Sequence, residues 1–460
     1  MTVLGEGAYG CVHKPSLKCK NRPDISYEGK ISKIMTKPHA KTELEEYDIV
    51  ANLDKDKDFY LGKPDECYPV IDTDTIKEVE KCKWIKSADL KRMKLLIMQD
   101  GGLDLSGYLE TVNTKTTEDI ERFLIEAHRV ILGINVLESN GVIHHDLKPH
   151  NIVYNETKRR INFIDFGHMT NYETLRNRSI QSRNSHAVEH WSFPLEMMFL
   201  NKRNYTEYAK RTPEERRILF PRVWVHIKEH VEVFMSYINY KTNDKLAQET
   251  YAYIKRDYYD MFVNDFTPEY YNEFLEKSLK TIDVYGLGMS FMHILGSFKH
   301  FIGNAMFSKL YGLAMFAVSS RVSARCDAEF FLKTYESILD ESGILAKYGL
   351  HIQEHKIVEI KKELSFKDVD DEVKQSINVN RVLAPCNDIG KEHNPITGRC
   401  VKPCKPGIIR DAKFRCTRKS AVCPENKELN PNTGRCIAKC KTGYMRNERF
   451  RCTRKLTTVS

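Results

Sequence analysis

A glycine-rich stretch at the start of the chain has the spacing of a phosphate-binding loop. Gly5, Gly7 and Gly10 follow the pattern GxGxxGxV, which ends at Val12. Glycine has no side chain, so the backbone can approach phosphate groups closely. Dinucleotide-binding folds share this spacing but need a helix directly after the loop. Residues 11–13 are instead predicted to form a strand, which favours a phosphate loop of another kind, with Val12 over a purine.

Two polar segments near the middle of the chain carry a second group of reactive side chains. The first contains Asp146, Lys148 and Asn151, and the second contains Asp165 in an Ile-Asp-Phe-Gly sequence. The two aspartates are 19 positions apart. These segments resemble the HRDLKPxxN catalytic loop and the DFG motif of the eukaryotic protein kinase superfamily, over roughly residues 1–350. Several motifs occur in the family's order, so a chance polar loop is a poor explanation.

The resemblance assigns a role to each of these side chains. Phosphoryl transfer depends mainly on positioning and charge neutralisation. By resemblance, Asp146 accepts the proton of the substrate hydroxyl, Lys148 steadies the γ-phosphate of ATP, and Asn151 and Asp165 hold Mg²⁺, for which Mn²⁺ is an alternative. The implied activity is that of a serine/threonine protein kinase, a phosphotransferase acting on protein substrates. The implied fold is α+β and bilobal, with a small β-rich lobe and a large α-rich lobe.

The family also requires a lysine on the third strand, and two lysines compete for this position. Residues two apart in a strand share a face. Lys33 shares its face with the apolar Ile31, which suits an adenine pocket, whereas Lys30 shares its face with Glu28. We therefore predict Lys33 as the nucleotide-binding lysine.

The helix after this strand should supply a glutamate that pairs with the lysine. Glu46 precedes Ile49 and Val50 by three and four positions, so it is predicted to point inward with them. Glu43 and Glu45 are predicted to lie on a solvated face. The interval from Lys33 to Glu46 is short for the family.

A third set of candidate nucleotide contacts follows an apolar run at residues 95–98. The resemblance places Met98 at the back of the nucleotide pocket and makes Gln99 to Gly101 the hinge whose backbone binds adenine. Asp104 either reaches the ribose or caps a helix that begins at Leu105.

Further motifs concern the architecture and regulation of the large lobe. Glu196 resembles the end of an activation segment, and Asp283 resembles the start of the central buried helix. Arg325 is expected to pair with Glu196, with Arg321 as the alternative. His145 replaces an arginine that binds a loop phosphate in many kinases. A histidine is only partly charged near neutral pH, so strict dependence on loop phosphorylation is not expected.

The intervening segments complete the predicted domain organisation. The kinase domain is predicted at residues 1–360, with an inserted helical region at about 200–280, and a polar linker at 361–385. Candidate autophosphorylation sites are Thr170, Ser179, Ser182 and Ser185. No run of 18 apolar residues occurs, and the glycine loop begins at Gly5, so neither a membrane span nor a cleaved signal peptide is expected. The cytoplasm is the default location.

The C-terminal part differs in charge and in cysteine content. Residues 386–455 hold 18 Lys and Arg against 6 Asp and Glu, and eight of the 13 cysteines. One pattern occurs twice, at 386–419 and 423–455, with three of four cysteines recurring at an offset of 36. The NPxTGRC core resembles the two-cysteine adaptor domain of large DNA viruses, often found beside kinase domains. This resemblance implies a viral kinase of the iridovirus kind, in the host cytoplasm or packaged in the virion.

These small repeats have almost no apolar core and need cross-links. The spacing of Cys400 and Cys404 allows half of a Zn²⁺ site, whereas disulfides suit an oxidising setting such as a virion. Both alternatives stay open, with disulfides slightly favoured. The tail is expected to bind a viral or host protein. Nucleic acid is a second candidate partner because the tail is basic, although it has few aromatic residues for base stacking.

Two other functions compete with an active kinase. A pseudokinase that only binds nucleotide, tethered by the tail, is the main alternative, but such proteins typically lose one of Asp146, Asp165 or the strand lysine. The second alternative is a basic nucleic-acid-binding protein, and only the charge of the tail supports it.

Overall fold

The computed structural model describes most of the first 360 residues and parts of the tail. The described residues are 2–7, 10–83, 85, 87–181, 192–239, 244–360, 392–393, 400–405, 408–410, 415–418, 425–430, 435–442, 444–447 and 451–454. The chain divides into two units, Met1–Lys361 and Lys362–Ser460. No helix in the described ranges is long and apolar enough to cross a membrane.

The small lobe is built on an antiparallel five-stranded sheet. Its strands are β1 (Thr2–Gly7), β2 (Gly10–Lys14), β3 (Lys30–Thr36), β4 (Asp65–Cys67) and β5 (Met93–Gln99), in the spatial order β1-β2-β3-β5-β4. Helix α1 (Lys37–Leu53) follows β3 directly and has a proline in its first turn, where the missing N–H costs nothing. It packs on β3 and β5.

The rear face of this sheet carries a compact apolar core that contains four cysteines. Cys11 is disulfide-bonded to Cys82, which follows helix α2 (Thr73–Val79), and Cys19 is disulfide-bonded to Cys67. All four belong to one buried cluster with apolar side chains of β3 and β5. From the sequence, cross-links were expected only in the tail, so these two disulfides were not predicted.

The large lobe is mainly helical, as the resemblance implied. Its helices are α3 (Leu105–Glu110), α4 (Thr117–Ser139), α5 (Tyr172–Gln181), α6 (Lys202–Ala209), α7 (Pro213–Asn239), α8 (Asp244–Asp260), α9 (Tyr271–Phe298), α10 (Asn304–Ala317), α11 (Ala328–Glu341) and α12 (Ile344–Lys347). Its strands are β6 (Leu103–Asp104), β7 (Val142–Ile143), β8 (Ile152–Asn155), β9 (Arg160–Phe163), β10 (Thr170–Asn171), β11 (Leu350–Gln353) and β12 (Lys356–Glu359). The predicted bilobal α+β fold is confirmed.

Local sequence signals explain where the long helix α4 begins and ends. Thr116 and Asp119 form a reciprocal capping box at its start. Asn140 caps its end, and Gly141 then takes the left-handed conformation at φ 67°. The capping box and the Asn-Gly pair are therefore the local signals that set the two ends of this helix.

Helix α9 is the centre of the large lobe and is buried over nearly its whole length. Helices α4, α7, α10 and α11 all pack against it. Helices α7 and α8, which lie in the region predicted as an insertion, contact each other through aromatic side chains such as Trp224 and Tyr251. The added helices thus extend the core of the lobe.

A buried ion pair joins the segment before α6 to the loop before α11. The guanidinium of Arg325 donates to Glu196 and to the backbone carbonyl of Ser319, and both charged side chains are fully buried. The predicted pairing of Arg325 with Glu196 is confirmed. Arg321, the alternative, pairs with Asp265.

The described residues of the tail form short antiparallel hairpins, and disulfides cross-link them. Strands β13 (Glu392–His393), β14 (Cys400–Val401), β15 (Ile408–Arg410), β16 (Cys416–Arg418), β17 (Lys427–Asn430), β18 (Arg435–Ala438), β19 (Tyr444–Arg446) and β20 (Cys452–Arg454) pair in sequence. Cys404 is bonded to Cys416, and the equivalent Cys440 to Cys452. Cys436 is also disulfide-bonded. Disulfides, the slightly favoured alternative to zinc, therefore form in both repeats.

The Arg325–Glu196 pair generates a stability prediction. Arg325→Met should lower the free energy of unfolding by about 3–5 kcal/mol, because it leaves Glu196 buried without its counter-ion. Urea denaturation followed by circular dichroism measures the change. The control is Lys333→Met, which removes an exposed partner of Glu329 and should leave the stability unchanged. Equal stability of the Arg325 variant and the wild type would contradict the prediction.

Candidate active site

The front face of the small sheet carries the glycine loop and the candidate lysine. Val12 of β2 lies directly opposite Lys33 of β3, and directly opposed residues point to the same side of a sheet. Among the described residues, no atom lies within 4 Å of the position that a Cβ on Gly5 would take. A Cβ on Gly10 would lie 2.8 Å from the carbonyl oxygen of Ile34. Gly10 is therefore required by the close approach of β3.

Lys33 forms an ion pair with Glu43. Its Nζ lies 2.6 Å from Oε2 of Glu43, and both side chains are largely buried. Burial raises the pKa of Glu43, an effect that the nearby Lys33 charge opposes. Lys30, the competing lysine, points elsewhere and pairs with Asp65.

The prediction that Glu46 pairs with Lys33 and that Glu43 is solvated is wrong. The buried stripe of α1 consists of Ala40, Glu43, Tyr47 and Val50. Ile49, which served to orient the helix in the sequence analysis, is 47% exposed. Glu46 lies off the stripe, and its Oε2 is buried with no hydrogen-bond partner among the described residues. Burial, followed by the charges of Glu43 and Asp165, raises the pKa of Glu46 to about 7.

The catalytic-loop side chains form one hydrogen-bonded group around Asp146. Lys148 Nζ donates to both carboxylate oxygens of Asp146, at 2.9 and 2.8 Å. Asn151 Nδ2 donates to the backbone carbonyl and to Oδ2 of Asp146, both at 2.8 Å. The carboxylate of Asp146 is thus fixed by an ammonium group and an amide.

The backbone of this loop is held from α9. The carboxylate of Asp283 accepts the backbone N–H groups of His144 and His145, at 2.6 and 2.9 Å. His145 has φ 64°, a conformation that non-glycine residues adopt rarely, so the loop depends on this anchor. The His145 ring stacks on Phe193 with their centroids 5.7 Å apart.

Phe166 connects the two lobes beside Asp165. Its buried ring contacts Tyr47 of α1 at 5.3 Å and His144 at 5.4 Å between centroids. Asp165 itself has φ 61° and raises the pKa values of Glu43 and Glu46, so its carboxylate lies near the Lys33 pair. Tyr47 and His144 were not recognised from the sequence because their role depends on contacts with Phe166, which is distant from Tyr47 in the chain.

The segment predicted as a hinge joins β5 to β6. Met98 lies opposite Ile31 of β3, and its sulfur accepts a hydrogen bond from Tyr47. Gln99 ends β5, and a Cβ on Gly101 would lie 2.5 Å from Val153. Asp104 accepts the backbone N–H of Gly107 and caps α3. The helix-cap alternative for Asp104 is confirmed, and the contact with ribose stays a prediction.

The candidate autophosphorylation sites differ in accessibility. Ser179 is fully buried in α5 and donates to the carbonyl of Leu175, so it is not accessible in this conformation. Thr170 lies in β10 and is partly exposed. Ser182 and Ser185 lie outside the described residues.

Two sets of side chains carry groups that can act as metal ligands. Asn151 and Asp165 offer an amide oxygen and a carboxylate, hard donors of the type that Mg²⁺ prefers beside phosphate groups, so they fit that ion. Cys11, His13 and Cys82 also converge. Their two sulfurs are joined in a disulfide, however, and it is the thiolate that binds metals.

Comparison with known proteins gives a partial match. The family model of the protein kinase domain matches residues 83–207, which include the catalytic loop, Asp165 and Glu196. A protein of Encephalitozoon cuniculi named "Probable cell division control protein 7 homolog 2" is 38% identical over 66 residues, or 14% of this chain and 18% of that protein. Its homolog 1 from the same organism matches equally.

A second similar protein is the mitogen-activated protein kinase p38b of Drosophila melanogaster, 25% identical over 164 residues. This match covers 36% of the chain and 40% of that kinase. The chain thus spans less than half the length of these relatives. Residues 83–207 of the first unit are therefore similar to a protein kinase domain, and the bilobal α+β fold agrees with that similarity.

The corrected ion pair generates a prediction about α1. Glu43→Gln should lower phosphate transfer by about 10²-fold or more, because Lys33 loses the charge that orients it. Glu46→Gln, one helical turn away, is the matched control and should change the rate of phosphate transfer little. Steady-state kinetics with a generic protein substrate measures both. A greater loss in the Glu46 variant would restore the original assignment.

Proposed function

We propose that this chain is an ATP-dependent serine/threonine protein kinase that transfers the γ-phosphate of ATP to protein hydroxyl groups. The observation that carries the proposal is the simultaneous presence of the Lys33–Glu43 ion pair and the Asp146–Lys148–Asn151 group. The first can orient a lysine toward nucleotide phosphates, and the second can position a carboxylate beside a hydroxyl. The ring of Phe166, which contacts Tyr47 edge-on and His144 at a tilt, lies between the two groups.

Each side chain has a defined part in the proposed reaction. Lys33 binds nucleotide phosphates, and Asp146 accepts the proton of the attacking hydroxyl. Lys148, whose ammonium lies beside Asp146, stabilises charge on the transferred phosphate. Bound at Asn151 and Asp165, Mg²⁺ would neutralise charge on the phosphate oxygens. Gly5 leaves space for the backbone to approach the phosphates.

Serine and threonine are the proposed acceptors. Lys148, two residues after Asp146, is typical of kinases with this specificity, and the relatives named above include a mitogen-activated protein kinase. Protein kinase assays with matched serine, threonine and tyrosine peptides test the acceptor preference. Transfer to tyrosine alone would contradict it.

The tail is proposed to recruit a partner rather than to take part in catalysis. The candidate catalytic residues all lie in the first unit, and the described residues of the second unit form small disulfide-linked hairpins. Two copies of one module suit binding to a repeated partner, because linked modules raise the effective concentration of each other. A viral or host protein is the proposed partner.

The proposed base generates a kinetic prediction. Asp146→Asn should lower turnover by roughly 10²- to 10⁴-fold, the usual contribution of a positioned base, with little change in ATP affinity. The assay follows transfer from labelled ATP with Mg²⁺ or Mn²⁺. Asp340→Asn, an exposed substitution on α11, is the control. Near-normal turnover of the Asp146 variant would refute the assignment, and nucleotide binding without transfer by the wild type would support a pseudokinase.

Removal of the tail gives a separate prediction. A protein shortened to end at Glu359 should transfer phosphate to a generic substrate at the wild-type rate but lose recruitment of the partner. One kinase assay and one pull-down against candidate viral and host proteins compare the two forms. Loss of activity in a shortened protein that remains folded would show that the tail belongs to the enzyme. DNA binding by the full-length protein that falls steeply with salt would instead favour a nucleic acid partner.

A further inference from the structure

The strand that follows the glycine loop has two faces with different environments. On the front, Val12 lies beside Lys33, the lysine of the ion pair with Glu43. On the rear, Cys11 and His13 are both fully buried. Strand β1 is at the edge of the sheet and pairs only with β2. The position of the whole glycine-rich hairpin therefore depends on how β2 is held.

The rear face of β2 is tied to the end of α2 by a covalent bond and a polar contact. Cys11, the residue directly after the last loop glycine, is bonded to Cys82 across 71 positions of sequence. The Nε2 atom of His13 lies 3.3 Å from the carbonyl oxygen of Glu78 and 3.7 Å from the sulfur of Cys82. The disulfide thus fixes β2 one residue before Val12.

The second disulfide of the small lobe is a natural comparison. Cys19 lies in the connection between β2 and β3, and Cys67 ends β4. Cys19 also forms an isolated bridge with Pro69. Both cysteines belong to the same buried cluster as Cys11 and Cys82, but neither lies on a strand of the glycine-rich hairpin. This pair supports the lobe without holding its nucleotide-facing strand.

We propose that the Cys11–Cys82 disulfide positions β2 for ATP binding, so that nucleotide affinity depends on the redox state of this one pair. The inference rests on the proposed kinase function. The bond forms by exchange with a disulfide oxidant: one cysteine thiolate attacks the oxidant, and the second then displaces it from the mixed disulfide. Two electrons pass to the oxidant, which leaves as a dithiol, and the two cysteine protons are released or taken up by its sulfurs.

The test compares two double variants of the full-length protein. Cys11→Ser/Cys82→Ser should raise the KM for ATP and the Kd for ADP about tenfold, with kcat changed by less than about twofold, because Asp146 and Asn151 lie in the large lobe. Hydrogen exchange of the peptide 10–17 should be faster. Cys19→Ser/Cys67→Ser, the matched control, should lower Tm and leave nucleotide affinity unchanged.

A reversible form of the experiment covers the case in which the first variant does not fold. In the Cys19→Ser/Cys67→Ser protein, a thiol reductant opens Cys11–Cys82 as the remaining disulfide of the small lobe, and mass spectrometry verifies the thiols. ADP affinity should fall on reduction and return on reoxidation. Unchanged affinity and exchange without the Cys11–Cys82 bond would overturn the proposal, as would an equal effect in the control. ADP binding and hydrogen exchange need no phosphate transfer, so these results are independent of whether the chain is an active kinase.

Discussion

The loop that carries the candidate base depends on one buried carboxylate, that of Asp283. It accepts two backbone N–H groups of the loop that carries Asp146, and it projects from the most buried helix of the large lobe. Burial raises the pKa of Asp283, while the hydrogen bonds from His144 and His145 favour its charged form. A carboxylate held in this way fixes a strained turn that no local sequence preference would maintain.

From this anchor a chain of packed rings reaches the small lobe. His144 contacts Phe166, and Phe166 contacts Tyr47, which shares the buried stripe of α1 with Glu43. In this structure the Lys33–Glu43 ion pair and the packing of α1 against the ring of Phe166 occur together. The buried pair gains little net stability by itself, since the attraction of its charges is offset by their desolvation. Its contribution is to fix the direction of Lys33.

The two lobes and the tail are stabilised in different ways. The large lobe buries a continuous core around α4 and α9, with Arg325 and Glu196 as its paired charges. The small lobe has a much smaller rear core and adds two disulfides to it. The described residues of the tail contribute to none of the buried apolar clusters, and each repeat carries a disulfide. Cross-linking thus increases as the apolar core shrinks, as expected when the unfolded chain must be constrained.

Features that depend on local order along the chain could be predicted from the amino-acid sequence. Short patterns can be recognised without knowing the fold. Examples are the glycine spacing, the segment around Asp146, the capping residues of α4 and the cysteine repeat. The choice between Lys30 and Lys33 also followed, since alternation along a strand is local. The partner of Arg325 was predicted by analogy with a known family rather than by physical derivation.

The acid that pairs with Lys33 and the cross-links of the small lobe depend instead on contacts between distant segments. Glu43 and Glu46 are both three or four residues from apolar neighbours. Periodicity alone therefore allowed either glutamate to lie on the buried face of α1. Tyr47 packs against Phe166, which is 119 positions away in the chain, and this packing turns Glu43 toward the core. Cys11 and Cys82 meet because the end of α2 lies behind β2. Pairings between distant segments follow from the packing of the whole lobe, which a local pattern does not encode.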